Sequence, residues 1–234
     1  RSNGRPYLLT ANHCLNTQDE AEETMVIFNY ESPSCNGPEP ENPKEQSISG
    51  ASLVATSPEI DQLDYTLIEL SESIPVDYKP YYAGWSLRSD NSKAITIHHP
   101  NGDVKKVSID SNAVETTTYP GGLYNDTSHW LVKDWEIGAT EAGSSGSPLF
   151  NQNKRIIGDL SGGEADCENP VNDYFAKISR SWDDFGIDEY QLKAWLDPDS
   201  TGFTFLDGYL PYDSIPSHLK AQYEAPVIQL SWNP

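Results

Sequence analysis

The sequence predicts an all-β protein, and three observations carry that prediction. Short β-branched or aromatic runs recur along the chain, clusters of Gly, Pro, Asn and Asp separate them, and only one stretch has spacing that suits a helix. The runs are residues 7–11, 24–30, 52–56, 65–70, 94–98, 105–109 and 130–132. Branched and flat side chains pack well on a pleated surface and lose rotamer freedom in a helix, so each run reads as a strand. Residues 34–46 hold three prolines among polar residues and predict an exposed loop. Between 183 and 196, Phe185, Tyr190, Leu192, Trp195 and Leu196 suit one buried face and Pro198 stops the run, which predicts a short helix. Residues 211–234 contain four prolines and read as an extension or linker, with 227–232 as the opening strand of a following module. No internal repeat is visible.

The chain has 234 residues, enough for one large or two small domains. Hydrophobic residues are 36%, and 13 Tyr and 6 Trp add buried area to a lean core. Lys+Arg 15 against Asp+Glu 36 leaves a net charge of −21 without a basic stripe, so nucleic acid is excluded as a partner. No apolar run approaches the roughly 20 residues a membrane helix needs. Residues 1–12 lack a charged start followed by an apolar stretch, so the chain reads as soluble and without an export signal of its own. Three cysteines, Cys14, Cys35 and Cys167, lack metal-ligand spacing, so no metal or cofactor is expected. Their odd number means either a free thiol or partners outside this chain.

The chemistry concentrates in Glu141-Ala142-Gly143-Ser144-Ser145-Gly146-Ser147-Pro148. A glycine two residues before a serine lets the backbone turn so that amide N–H groups point into a common hollow. Alone this is also the composition of a plain turn. Upstream, however, stand His13, directly after an apolar strand, and Asp64, opening another. A serine hydroxyl needs an imidazole to remove its proton, and the imidazole needs a carboxylate to fix its tautomer and stabilise its charge. The order His13, Asp64, Ser145 also differs from that of α/β-hydrolases, which run serine, acid, histidine.

The blocks Thr10-Ala11-Asn12-His13-Cys14, Asp64-Tyr65-Thr66-Leu67-Ile68-Glu69-Leu70 and Thr140 to Phe150 resemble the three catalytic blocks of chymotrypsin-like serine peptidases, most closely the bacterial lysyl endopeptidases. Tyr82-Ala83-Gly84-Trp85, Ile97-His98-His99-Pro100, Arg155-Ile156-Ile157-Gly158 and Trp195-Leu196-Asp197-Pro198 resemble that subgroup in the same order, so the likeness spans about residues 5–210. It implies two six-stranded Greek-key β-barrels, the first incomplete at its N-terminal end, and a peptidase domain over residues 1–210. It implies His13 as general base and acid, Asp64 as orienting carboxylate, Ser145 as nucleophile, and the amides of Gly143 and Ser145 as oxyanion donors. Ser144 turns its side chain away; the trypsin group has an aspartate there, paired with a freed N-terminus. The position six before the nucleophile, an acid in trypsin, is Ala139. The resemblance instead makes Asp173 the base of a lysine pocket and Ser161, Gly162 and Gly163 the strand that pairs with substrate. In that family the counterparts of all three cysteines bond to partners upstream of the histidine, which implies a missing N-terminal segment or chain and a secreted, disulfide-bonded protein acting on proteins or peptides. A second reading remains, a non-catalytic peptide-binding module of the same fold or an inactive fragment of a larger secreted protein.

His98 and His99 read as structural, because adjacent strand positions face opposite sides. Trp130, Trp135 and Trp182 read as core or pocket wall. Asn125-Asp126-Thr127 has the form of a glycosylation acceptor, a triplet common by chance. The acidic runs 19–23 and 39–45 read as solvated surface.

Overall fold

A computed structural model describes residues 4–34, 37–58, 63–121 and 127–211, and the backbone of 220–224 and 227–231. Cys35 and the Asn125-Asp126 part of the acceptor triplet lie outside the described residues. In chain order the elements are β1 (Tyr7–Thr10), α1 (Gln18–Glu23), β2 (Met25–Ile27), β3 (Ser47–Ser49), β4 (Ala51–Thr56), β5 (Thr66–Leu70), β6 (Gly84–Ser86), β7 (Ala94–His98), β8 (Lys106–Asp110) and β9 (Glu115–Thr117). They continue with β10 (His129–Asp134), β11 (Pro148–Phe150), β12 (Arg155–Gly163), β13 (Val171–Lys177), α2 (Ile178–Ser181), α3 (Lys193–Leu196), β14 (Phe205–Leu206), β15 (Lys220–Glu224) and β16 (Val227–Ser231).

The strands form a three-stranded sheet, β1-β5-β4, and a nine-stranded sheet whose path is β8-β7-β11-β12-β13-β10-β9, with β6 on β12 and β14 on β6. β2 pairs with β3 and β15 with β16 as two-stranded ribbons. The all-β class stands, although neither large sheet presents a closed set of six strands among the described residues. β5 shows why its sequence lacks strict alternation: Leu67 faces the cluster of Val54, Leu63, Tyr65, Trp85, Trp182 and Leu192, whereas Ile68 and Leu70 face that of Leu15, Ala21, Ile48 and Ala51. Both faces of the strand are covered. The first of these clusters draws on both large sheets and forms the seam between them. Trp130 and Trp135 lie in a third cluster inside the nine-stranded sheet, with Leu149, Ile157, Leu160 and Phe175.

Two local expectations change. The helix predicted over 183–196 is broken into a 3-10 turn at Asp188–Tyr190 and the single turn α3, separated by Gln191 in extended conformation, and Gly186 sits at φ +68°. Phe185, Leu192, Trp195 and Leu196 still reach the seam, so packing decided where they point and the backbone broke to allow it. The short helix α1 was not expected. Its signal is the capping box at Thr17 and Glu20, where the Thr17 side chain accepts from the Glu20 amide and the Glu20 carboxylate accepts from the Thr17 amide.

Candidate active site

β1 delivers His13. After Thr10 the chain makes one tight turn, in which the amides of Cys14 and Leu15 both donate to Ala11 O. Buried Asn12 staples this turn to β4 by donating to Thr56 Oγ1 at 2.7 Å. Asp64 is brought alongside by the entry into β5, held by Tyr65, which is fully buried in the seam. The Asp64 carboxylate then engages His13 twice: Oδ1 accepts the backbone N–H at 2.9 Å and Oδ2 faces Nδ1 at 2.8 Å. A carboxylate can only accept, so Nδ1 carries the proton and Nε2 is left outward as a base. The Asp64 side chain is 2% exposed and that of His13 33%. The hydrogen bond to Asp64, then that to Cys14, raises the His13 pKa above its ordinary value against the opposing effect of burial.

Ser145 sits on the tight turn before β11. Gly143 and Gly146 take φ of +88° and +77°, backbone that a side chain strongly disfavours. Gly146 also meets the histidine strand: a Cβ there would lie 2.3 Å from Thr10 Oγ1 and 2.9 Å from Ala11 N. This close approach sets residue 145 beside the segment that carries His13. The amide of Gly146 donates to Leu160 O and that of Ser144 to Glu141 O. Among the described residues the amides of Gly143 and Ser145 donate to no protein acceptor, and no hydrogen bond joins Ser145 Oγ to the His13 ring. Ser144 is fully buried, and its Oγ is bonded to His98 Nδ1 at 2.9 Å.

Asp173, on β13, is 1% exposed. Its Oδ2 accepts from Trp135 Nε1 at 2.7 Å and from Thr140 Oγ1. A Cβ on Gly163 would lie 2.2 Å from its Oδ1, so only glycine leaves the carboxylate its place. Burial raises its pKa, with the bonds from Thr140, Trp135 and the Ala165 amide pulling the other way. Asp173 therefore lies between Gly163 on β12 and the segment 135–140 that leads to Ser145. Ser161 Oγ is within 3.2 Å of His129 Nε2, and Gly162 lies against Tyr119, whose hydroxyl would be 2.9 Å from a Cβ. Past Leu160 the edge of β12 that faces β11 has no ladder partner among the described pairings.

Four supporting residues were not singled out in the sequence: Thr140, His129, Tyr119 and Asn101. Each is recognised only by what the folded loops set against it, so residue type and spacing carried no signal. Trp135, read as core or pocket wall, is packed in the core and donates to Asp173. Cys14 and Cys167 are both free and exposed. A cavity of about 530 Å³, lined by residues such as Tyr7, Phe28, Tyr78, Trp85 and Leu206, touches none of His13, Ser145 or Asp173. Among the described residues no group of three His, Cys, Asp or Glu is placed to hold a metal ion, and no helix is long and apolar enough to cross a membrane.

Comparison with known proteins gives this geometry its context. The chain is 31% identical over 188 residues to a lysyl endopeptidase of Pseudomonas aeruginosa, covering 75% of this chain and 38% of that protein. It is 28% identical over 159 residues to secreted RxLR effector protein 73 of Plasmopara viticola, covering 64% and 37%. It thus spans less than two fifths of the curated relatives it matches. Among solved structures, an inactivated protease paralogue of the scabies mite shares the fold with a TM-score of 0.50 at 16% identity, over 74% of this chain and 80% of that one. The fold is that of the chymotrypsin-like serine proteases. Residues 1–176 match the model described as lysyl endopeptidase, C-terminal domain, and the chain belongs to that family.

Proposed function

We propose that the protein is a secreted serine endopeptidase that cleaves proteins or peptides on the carboxyl side of lysine. The observation that carries this reading is the buried Asp64 carboxylate holding His13 by both backbone and Nδ1, which leaves Nε2 to act as a base. In this mechanism His13 Nε2 takes the proton from Ser145 Oγ as the oxygen attacks the scissile carbonyl carbon. The free amides of Gly143 and Ser145 receive the oxyanion that forms. His13, now an imidazolium stabilised by Asp64, gives its proton to the leaving amine, and water enters by the same steps in reverse to release the acid. Lysine is favoured because Asp173 is buried with its charge poorly matched: a substrate ammonium supplies the missing partner, whereas an uncharged side chain does not. The unpaired edge of β12 beyond Leu160 offers backbone groups to an extended peptide.

A fluorophosphonate probe tests the reading. Covalent labelling that disappears in Ser145→Ala, together with cleavage of Lys-amide peptides in preference to Glu-amide and Phe-amide peptides, is expected. A folded protein that takes no label is instead a peptide-binding module, and the enzyme reading fails.

A further inference from the structure

The orientation of a peptide unit is shared by its two ends: in a planar trans peptide the N–H points opposite to the preceding C=O. The Gly143 N–H therefore faces wherever Ala142 O does not. Ala142 O is bound at 2.7 Å by the backbone N–H of Asn101, in the turn between β7 and β8. In the same way the Ser145 N–H is set by Ser144 O, which accepts from the Ser147 amide at 3.1 Å. The first of these two locks comes from a segment about 40 residues away in sequence, and that segment is built for it. Asn101 adopts φ 52°, ψ 24°, a left-handed conformation that asparagine tolerates better than most residues. Its Nδ2 also donates to Glu141 Oε2 at 2.6 Å. The turn packs close behind the glycine: a Cβ on Gly143 would lie 3.3 Å from both Asn101 N and His99 O.

His98 ties the next residue to the same hairpin. It is 1% exposed and bridges Ser144 Oγ at 2.9 Å and Ser108 Oγ at 3.0 Å. Ser144 Oγ also accepts the Glu141 amide N–H at 3.2 Å, and in either tautomer a neutral His98 donates to one of the two serine hydroxyls and accepts from the other. The neutral imidazole satisfies every one of these atoms. Burial, with His99 beside it, keeps it neutral by holding its pKa down to about 4. Further along, Ile137 and Ile109 exchange backbone hydrogen bonds at 2.9 and 3.1 Å, so the whole approach to the nucleophile leans on this hairpin.

We propose that Asn101 and His98 are positioning residues: they hold the Ala142–Gly143 peptide and Ser144 so that the Gly143 and Ser145 amides face a substrate oxyanion. The proposal deepens the serine-peptidase reading and rests on it. It supplies an internal substitute for the aspartate-to-N-terminus pair of trypsin-type enzymes, since Ser144 has no charge to offer a freed amine. A flip of the Ala142–Gly143 peptide would break the Asn101 bond and turn a carbonyl into the hollow.

The test compares Asn101→Gly, which keeps both the N–H and the left-handed backbone, with Asn101→Val, whose branched side chain opposes that backbone, and with Ser144→Ala. Asn101→Val and Ser144→Ala should lose about 10²-fold in kcat with KM changed less than threefold, and an equal factor in affinity for a Lys-peptide boronate. Affinity for n-butylamine, which fills the pocket without an oxyanion, should stay the same, and Asn101→Gly should retain at least a third of wild-type kcat. Equal kcat and boronate affinity in all four proteins, or boronate and butylamine affinities falling together, would overturn it. Amide hydrogen exchange of the wild-type protein reads the lock without activity: Asn101 protected and Gly143 exchanging fast is expected, and the reverse sinks the proposal. Absence of fluorophosphonate labelling, by contrast, sinks the peptidase reading while the exchange result still judges the lock.

Discussion

Replacing Asp173 by asparagine conserves volume and removes one charge at the base of the proposed lysine pocket. The carboxylate now spreads three donors, from Trp135, Thr140 and Ala165, over two oxygens. An amide has one oxygen for them and presents an NH2 group where the lysine ammonium would sit. Losing one partner of a buried charge pair costs about 2–5 kcal/mol, so kcat/KM for a Lys-amide substrate should fall about 30-fold to several thousand-fold. The norleucine analogue has the same methylene chain without the charge and should change less than threefold, so the Lys/norleucine ratio collapses by the full factor. The pH dependence gives an independent check. In the proposed pocket lysine binds the ionised carboxylate, and burial has raised the Asp173 pKa, so affinity for n-butylamine should decline as pH falls through that raised value. Asp173→Asn should bind weakly with no such slope. A raised carboxyl pKa also means that the ionised group opposes folding above its unfolded pKa, so wild-type stability should fall as pH rises from the unfolded to the raised value, and Asp173→Asn should remove that slope. Direct measurement of kcat/KM on Lys, Arg and norleucine amides decides the matter: a variant within threefold of wild type on lysine, with the ratio intact, refutes the pocket assignment.

Three further outcomes are expected. Asp64→Asn removes the main influence that raises the His13 pKa, so the acidic limb of the kcat/KM profile should move to lower pH while its plateau drops about 10⁴-fold; an unshifted limb would mean that another group sets it. The same pair's contribution to stability is complete below the ordinary imidazole range and is lost as pH rises through the raised His13 value, which thermal melts across that window can follow. Lys177, buried against the Trp130 ring at 4.0 Å and donating to Thr116 Oγ1 at 2.8 Å, has its pKa pushed down to about 8 by burial. The unfolded chain therefore binds more protons between that value and the ordinary lysine range, so wild-type stability should rise with pH there and Lys177→Met should flatten the rise; parallel curves would contradict this. Gly146→Ala places a methyl 2.3 Å from Thr10 Oγ1 on backbone at φ +77°, for a cost of about 2–5 kcal/mol and a Tm lower by about 5–15 °C. Calorimetry showing no loss would mean that the histidine strand does not abut the nucleophile turn.

What this chain's sequence determined by itself was its β class, the positions of β1, β2, β4, β5, β7, β8 and β10, and the residue types of the proposed site. Those properties are local: alternation, branched side chains, turn residues, and a histidine, an aspartate and a serine each in a distinctive short setting. Glycine at 143, 146 and 163 was visible too, and for Gly143 a turn before the serine was reason enough, but the neighbours that crowd each one, Asn101, Thr10 and Asp173, were not, being distant in the chain or across the sheet. Only the tertiary structure decided that Trp135 and Thr140 hold Asp173, that His98 holds Ser144, and that Phe185, Leu192, Trp195 and Leu196 reach the seam through broken turns instead of one helix. Hydrogen bonds and packing between residues tens of positions apart depend on how two sheets come together, and that arrangement is a property of the whole fold, written in no single stretch of it.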